Sequence, residues 1–155
     1  MPETSLLNRL STDFSQFKFE SGDIFHWSPD RQTIVYADAQ NEIQTLHELG
    51  HAILNHTNYS RDIQLVQMEQ QAWVKAKELA IKYNVQIDQD QIDSSLDSYR
   101  DWLHARSTCP KCQSTGVQKA AREYRCLACS TTWRVNDARL CELRRYVNKS
   151  KKHPL

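Results

Sequence analysis

The sequence predicts an α+β protein with two domains, residues 1–104 and residues 105–155. Between residues 17 and 36, short runs rich in aromatic and β-branched residues alternate with turn residues, which predicts a short antiparallel sheet. Longer segments with helical apolar spacing follow as far as residue 103. Beyond residue 104, two cysteine pairs and a final helical pattern predict a small second domain that ends in a C-terminal helix.

The charge balance changes near the same boundary. Residues 1–103 contain 8 Lys+Arg and 16 Asp+Glu, whereas residues 104–155 contain 12 Lys+Arg and 3 Asp+Glu. The resulting −8 and +9 agree with the net charge of +1. An acidic first part joined to a basic last part indicates two units with different partners.

The first domain begins with a short helix, because Leu6, Leu10 and Phe14 share one helical face. The strands of the sheet are expected next, at residues 17–20, 24–27 and 33–36. Asp38 or Asn41 can then provide the N-cap of the helix that follows.

Residues 43–54 form the helix that carries the main motif, His47-Glu48-Leu49-Gly50-His51. Residues four apart lie on one helical face, so His47 and His51 can bind one metal ion through their imidazoles. Two neutral imidazoles suit Zn²⁺, and the adjacent Glu48 carboxylate suits the activation of a water molecule. This is the H-E-x-x-H pattern of zinc peptidases. The alternative is a surface helix that carries two histidines without a metal.

Gly50 lies in the interior of this helix. Glycine there costs about 1 kcal/mol relative to alanine. Because the chain contains only 3 glycines, its use at this position predicts that another segment packs closely against that turn.

The third metal ligand is expected from the next helix, at about residues 60–83. Glu69 lies in the middle of the apolar stripe of that helix, where a carboxylate must become neutral, pair with a cation or bind a metal. Since a catalytic zinc needs a third protein ligand, we assign that role to Glu69. Two alternatives remain, namely Glu69 paired with a lysine or arginine, and Asp62 as the ligand. His56 is rejected because, on a continued helix, it would face away from His47.

A further helix follows, with Asp88 and Gln91 in capping-box spacing. Its apolar stripe consists of Ile92, Leu96, Tyr99 and Leu103. We expect this helix to contribute packing and no chemistry.

Two C-x-x-C pairs separated by thirteen residues follow, Cys109 and Cys112, then Cys126 and Cys129. Four thiolates at this spacing close a tetrahedral zinc site without an open position, so this zinc is structural. Residues 131–135, with Trp133 at their centre, are expected to form the last strand of a zinc ribbon. About thirty residues cannot hold a core unaided, and the metal stabilises their fold. The fifth cysteine, Cys141, is expected in the final helix as a small buried residue.

The sequence indicates a cytoplasmic protein without membrane contact. No segment approaches the ~20 apolar residues of a membrane helix. Residues 1–5 lack the basic and apolar regions of a signal peptide. In a reducing compartment, C-x-x-C pairs indicate metal binding rather than disulfides.

The second domain is rich in basic residues, including Arg125, Arg134 and Arg145. Such density, beside aromatic residues, is compatible with contacts to the phosphates of DNA. It is equally compatible with a solvated face or with binding of an acidic protein surface.

The motif and its sequel resemble the ImmA/IrrE family of zinc peptidases, which pairs H-E-L-G-H with a later E-x-x-A. Here these are residues 47–51 and residues 69–72. The resemblance covers roughly residues 1–85 and implies a zincin-like domain with His47, His51 and Glu69 as ligands and Glu48 as catalytic base. It also implies a regulatory protein substrate, such as a repressor. The residues after the E-x-x-A element, Trp73 onward, depart from the family's usual sequence.

The domain order is also similar to that of SprT-like proteases, which join an H-E-x-x-H domain to a C-terminal zinc ribbon and act on DNA-bound proteins. Those enzymes take their third ligand from a later histidine. His104 is the only histidine in a suitable place here, and no glycine follows it.

The expected activity is therefore zinc-dependent endopeptidase cleavage with one catalytic and one structural zinc. Substrate is expected to extend along Ile34, Val35 and Tyr36 by strand addition. A second donor to the oxyanion can come from any of four residues, His26, Tyr36, Tyr59 and Tyr99. Two rival hypotheses are a DNA-binding regulator stabilised by the ribbon zinc, and a module that binds a repressor without cutting it.

Overall fold

The computed structural model describes residues 3–137 and 143–149. Within these residues the fold is α+β, which confirms the predicted class. The helices are α1 (Leu6–Asp13), α2 (Glu42–Ile53), α3 (Asp62–Tyr83) and α4 (Gln89–Ser107). The strands are β1 (Lys18–Ser21), β2 (His26–Ser28), β3 (Thr33–Tyr36), β4 (Gly116–Ala120), β5 (Glu123–Cys126), β6 (Thr132–Val135) and β7 (Arg145–Val147). None of the described helices combines the length and the apolar character needed to cross a bilayer.

The chain forms two compact units. The first contains the described residues up to Asn58 together with Gln67–Ser94, and the second contains Tyr59–Val66 together with the described residues from Ser95 onward. Residues 59–66 and 95–104, which the predicted division placed in the first domain, thus belong to the second unit. The sequence does not show that these two segments belong to the second unit, because each of them is part of a regular helix that begins or ends in the first unit.

The sheet of the first unit has the strand order β1-β3-β2. Strands β2 and β3 pair antiparallel, as the turn between them predicted, but β1 pairs parallel to β3. The sheet is therefore mixed rather than purely antiparallel. The buried residues Ile34 and Val35 place β3 in the core. Helix α2, which packs against β3, contributes Leu46 and Leu49 to the core, and α1 contributes Leu10, each fully buried.

Helix α2 is capped by an asparagine near each end. Asn41 is the N-cap, and its side-chain oxygen accepts from the backbone N–H of Gln44 at 3.4 Å. At the other end, Asn55 adopts φ 54°, a left-handed conformation that asparagine tolerates. The N–H of His56 then donates to the carbonyl of His51 at 3.0 Å, and that of Asn55 to Ala52 at 3.1 Å. These two bonds form a Schellman motif, which turns the chain back over the helix end.

The predicted close contact at Gly50 is confirmed. A Cβ atom built on Gly50 would lie 2.7 Å from the backbone oxygen of Ala72 in α3. Real Cβ atoms do not approach a backbone oxygen so closely. The missing side chain thus allows α2 and α3 to touch through their backbones.

Helix α3 buries the predicted stripe, including Trp73, Ala76 and Tyr83. The cap of α4 is also as predicted, since Asp88 accepts from the backbone N–H of Gln91 at 3.1 Å. Ile92, one turn into α4, is buried.

The second unit contains an antiparallel sheet of order β4-β5-β6-β7. Its inner face buries Tyr124 against Trp133, with ring centroids 5.7 Å apart, and Val135 beside them. Gly116 is required here, because a Cβ atom would lie 2.4 Å from the Trp133 ring. The indole N–H of Trp133 donates to the carbonyl of Arg106 at 2.9 Å, so the buried ring has its polar atom satisfied.

The predicted C-terminal helix is wrong at its described end. Residues Arg145–Val147 form β7, which pairs with β6 through Trp133↔Val147 and Arg134↔Tyr146. The free edge of β6 and the β propensity of tyrosine and valine outweigh the helical spacing of three apolar residues. Cys141, expected in that helix, lies outside the described residues.

Candidate metal centres

The first candidate centre lies at the contact between α2 and α3. Nε2 of His47 is 3.0 Å from Oε2 of Glu69, and Nε2 of His51 is 3.2 Å from Oε1 of the same carboxylate. The two Nε2 atoms are 3.1 Å apart. The structure thus brings together the three residues that the sequence assigned as ligands.

These distances are compatible with a metal ion bound between the three atoms. Ligand atoms at about 2.0–2.1 Å from one tetrahedral ion lie roughly 3.3 Å apart, close to all three separations. Two imidazole nitrogens facing each other can share only one proton, so at least one of them presents a bare lone pair. Converging lone pairs and a carboxylate are the donor set of a zinc-type site.

Glu69 is 6% exposed. Burial by itself would raise the pKa of this carboxyl, but the hydrogen bonds to His47 and His51 outweigh it and hold the pKa well below the ordinary range. The lowered pKa favours the charged form of this carboxyl group, which is the form that binds metal ions. The sequence alternative of Glu69 paired with a lysine or arginine is absent from the described ion pairs.

The other alternative ligand, Asp62, has different partners. Its Oδ2 accepts from Arg106 Nε at 2.8 Å and from the Tyr124 hydroxyl at 2.5 Å, within the second unit. The arginine pairing considered for Glu69 is thus found at Asp62 instead. Asp62, at the first turn of α3, follows the same sequence pattern but serves packing.

Glu48, the candidate base, is 7% exposed and accepts a hydrogen bond from one glutamine side chain. Its Oε1 accepts from Gln44 Nε2 at 3.1 Å, one turn earlier on α2. Gln44 Oε1 in turn accepts from Gln91 Nε2 at 3.2 Å, at the start of α4. Because that bond fixes which end of the Gln44 amide is the acceptor, its N–H₂ group is directed at Glu48.

His47 is positioned by an aromatic ring. Its imidazole stacks on Trp73 of α3, with centroids 3.9 Å apart and planes 25° apart. Its Nδ1 atom has no hydrogen-bond partner among the described residues.

His56 is the residue that sequence reasoning missed. It was rejected because a continued helix would turn it away, but α2 ends at Ile53 and the Schellman turn returns His56 to His51. Nδ1 of His56 lies 2.8 Å from Nδ1 of His51, and Nε2 of His56 lies 3.1 Å from Gln71 Oε1. Burial, and then the charge of His51, lower the pKa of His56 below its usual value. The asparagine just before it, a residue common at left-handed helix ends, was the available signal.

The second candidate centre consists of the four cysteines. Sγ of Cys109 is 3.7 Å from Sγ of Cys129, and Sγ of Cys112 is 3.5 Å from Sγ of Cys126. A disulfide requires about 2.05 Å, whereas thiolates at about 2.3 Å from one tetrahedral ion lie roughly 3.8 Å apart. All four cysteines are free, and their sulfurs form a group that can hold one ion.

The two C-x-x-C segments, called cysteine knuckles below, have the same backbone geometry. Gln113 and Ser130, each directly after the second cysteine of its pair, adopt φ 65° and 61°. Backbone N–H groups donate to sulfur in both knuckles, at 3.4 Å from Lys111 to Cys109 and at 3.3 Å from Ala128 to Cys126. Such bonds stabilise thiolates, which favours a metal site over four neutral thiols.

The prediction that substrate adds as a strand along Ile34 and Val35 is wrong. Both backbone edges of Ile34 and Val35 are already paired, to β1 on one side and to β2 on the other. A central strand cannot accept an added strand, because its ladder hydrogen bonds are used. Ile34 and Val35 are therefore core residues, and Tyr36 ends the strand half-buried. Of the suggested oxyanion donors, His26 bonds to Ile24 in its own turn.

The outer face of the second sheet carries two arginines and a tyrosine, with Glu123 paired opposite Arg134. Arg125 and Arg134 are exposed, and the guanidinium of Arg134 lies 5.7 Å from the centre of the Tyr146 ring, which is 44% exposed. Val117 pairs with Arg125 and shares this face.

Comparison of the chain with protein-family models, with curated proteins and with solved structures gave no match. Its function is therefore inferred from the geometry of its own side chains.

Proposed function

We propose that this protein is a metal-dependent endopeptidase with a zincin-like first unit, in which His47, His51 and Glu69 hold Zn²⁺ and Glu48 is the catalytic base. The convergence of two imidazole nitrogens and a buried carboxylate within 3.2 Å carries this proposal. Three protein ligands leave the fourth position of a tetrahedral ion open, as catalytic zinc requires. The four-cysteine group closes all four positions, so its ion is structural.

The chemistry divides between the metal and the protein. When bound, Zn²⁺ acidifies a water molecule and polarises the carbonyl of the scissile peptide. Glu48 accepts the proton of the attacking water and returns it to the nitrogen of the leaving amine. Gln44 holds the carboxylate of Glu48 in position for both transfers.

The resemblance to the ImmA/IrrE family supports a folded regulatory protein, such as a repressor, as substrate. The H-E-x-x-H motif itself supports peptide hydrolysis over other metal-assisted reactions. A binding module would not need a buried carboxylate directly after the first histidine ligand in the sequence.

The proposed activity is tested by incubating the zinc-loaded chain with an extract of its source cells and identifying new protein termini. Wild type should generate a defined set of termini, and Glu48→Gln should generate none. The variant should still bind two zinc ions per chain, since Glu48 is not a ligand. Identical termini from wild type and variant, or none from zinc-loaded wild type, would contradict the proposal.

We also propose DNA binding by the outer face of the second sheet. Two exposed arginines and an exposed tyrosine on adjacent strands can contact phosphates and stack on bases. In this role the ribbon would bring the peptidase to a DNA-bound substrate.

This second function is tested by fluorescence anisotropy with duplex and single-stranded oligonucleotides at several salt concentrations. Arg125→Gln with Arg134→Gln should weaken binding at least tenfold and reduce the salt dependence. Lys75→Gln, in the first unit, is the control that removes a charge elsewhere. Equal binding by all three proteins would exclude the sheet face as the DNA contact.

A further inference from the structure

His56 is held by three elements of the first unit. Its backbone N–H donates to His51 of α2, and its carbonyl accepts from the indole N–H of Trp27 in β2 at 3.0 Å. Its imidazole reaches Gln71 of α3 at 3.1 Å. A residue fixed at its backbone and at both ring nitrogens has a defined orientation, although it follows the end of a helix.

The amide oxygen of Gln71 determines where the protons lie in the hydrogen bonds from Gln71 through His56 to His51. Gln71 Oε1 only accepts, so Nε2 of His56 carries the proton of that bond. Nδ1 of neutral His56 is then bare and accepts a hydrogen bond from the Nδ1–H group of His51, 2.8 Å away. The tautomer of His51 that donates to His56 has its proton on Nδ1 and a free lone pair on Nε2, the atom that faces His47 and Glu69.

We propose that His56 and Gln71 are positioning residues that fix the metal-binding tautomer of His51. This inference rests on the proposed metal site. It adds that two residues outside the ligand set determine which nitrogen of His51 can bind the metal. An isolated neutral imidazole distributes its proton between both nitrogens, and the form with the proton on Nε2 cannot bind a metal through that atom. The chain from Gln71 through His56 removes this competing form.

His47 provides an internal contrast. Its Nδ1 lacks a partner among the described residues, and its ring is oriented by stacking on Trp73 instead. The two imidazole ligands are thus held by different means, and only His51 depends on a hydrogen-bonded tautomer. Loss of the pair should therefore change the Nδ1 signal of His51 and leave the Nδ1 signal of His47 unchanged.

The affinity test uses the full chain with its four-cysteine site already filled by one equivalent of Zn²⁺. Binding of the second equivalent is measured by competition with a chromophoric chelator. Gln71→Leu and His56→Phe should weaken it about 10- to 100-fold, the usual effect of removing such a partner of a metal ligand. His56→Asn should retain more affinity than His56→Phe, because an amide oxygen can still accept from Nδ1 of His51. Gln70→Leu, at the exposed neighbouring position of α3, should bind as wild type does.

The second measurement is the tautomer itself, read from the imidazole ¹⁵N shifts of the protein without the second zinc. Wild type should show His51 with its proton on Nδ1, and Gln71→Leu should show a mixture. Unchanged shifts and unchanged affinity in both Gln71→Leu and His56→Phe would overturn the inference. If these changes in affinity and shift are observed but the protein cleaves no peptide, the peptidase proposal is rejected. The role of His56 and Gln71 in fixing the tautomer of His51 is then still supported.

Discussion

At the scale of residues, two buried carboxylates of helix α3 have partners of different chemistry. Asp62 is satisfied by an arginine and a tyrosine hydroxyl, both of which are donors. Glu69 faces two imidazole nitrogens, which are metal ligands as readily as they are donors. Since a buried charge must be compensated, the partners of each carboxylate distinguish a packing role from a metal-binding one.

Replacing Glu69 with alanine should remove one zinc ion per chain and leave the other. The two histidines alone bind zinc weakly, whereas the four-cysteine site is untouched. Native mass spectrometry of the zinc-loaded protein should show one ion instead of two. Glu78→Ala removes an exposed carboxylate from the same helix and should keep both ions. Two ions in Glu69→Ala would show that another group completes the site.

Replacing Gln44 with methionine should slow peptide cleavage without loss of metal. The Glu48 carboxylate then lacks a hydrogen bond worth about 1.5–3 kcal/mol, and kcat should fall roughly 10- to 100-fold. Gln40→Met, at an exposed position before α2, is the matched control. The measurement is steady-state cleavage of an identified substrate together with zinc content. A normal kcat in Gln44→Met would mean that Glu48 is oriented by other contacts.

At the scale of elements, the metal site depends on how closely α2 and α3 approach. Gly50 contacts Ala72 through backbone atoms, in the same turn that carries His51. The two helices contribute different ligands, so their separation sets the distance from imidazole to carboxylate. A helix-breaking residue is thus retained at the position where the site needs contact.

Gly50→Ala should therefore destabilise the first unit, although alanine favours helix by about 1 kcal/mol. The added methyl group meets a backbone oxygen that cannot move without shifting α3. We expect a net loss of about 1–3 kcal/mol in the free energy of unfolding and weaker binding of the second zinc. Urea unfolding and chelator competition measure the two effects. Val74→Ala, at an exposed position of α3, should change stability by less than about 0.5 kcal/mol.

The left-handed residue in the first cysteine knuckle leads to a second prediction at the scale of elements. Gln113 adopts φ 65°, a conformation that costs a non-glycine residue about 1–2 kcal/mol. Gln113→Gly should raise the melting temperature of the zinc-loaded protein. Lys111→Gly, in the same knuckle but without a positive φ, should lower it, because it adds only chain entropy. The same shift in both variants would mean that the left-handed residue is not strained.

For the whole molecule, the two candidate metal centres lie in units whose apolar cores differ. The first unit has a core of its own, built from residues such as Leu10, Ile34 and Trp73. The cluster of the second sheet is small and includes two of its own cysteine ligands, Cys109 and Cys126. Its fold should therefore depend on its metal, as small metal-stabilised modules do.

Removal of both metals with a strong chelator should affect the units unequally. Hydrogen exchange should become fast in β4, β5 and β6, while the amides of α2 and of residues 67–83 in α3 stay protected. Exchange measured by mass spectrometry, with zinc-loaded protein as reference, gives the comparison. Retained protection in the second sheet after verified loss of zinc would show that its apolar cluster suffices.

The sequence predicted features that depend on local chemistry. The H-E-x-x-H spacing, the two C-x-x-C pairs and the caps at Asn41 and Asp88 follow from fixed helical or turn geometry, which a short segment determines by itself. Glu69 could be selected because a carboxylate within an apolar stripe needs a partner.

Other features depended on contacts between distant segments and were decided only by the tertiary structure. The parallel pairing of β1, the strand at residues 145–147 and the exchange of segments between the units required knowing which edges and surfaces remained free. His56 is the clearest case, because extending helix α2 by the sequence alone moved it away from the site. One left-handed residue, Asn55, ends the helix and returns His56 to His51, and a helical-wheel projection has no means of representing that turn.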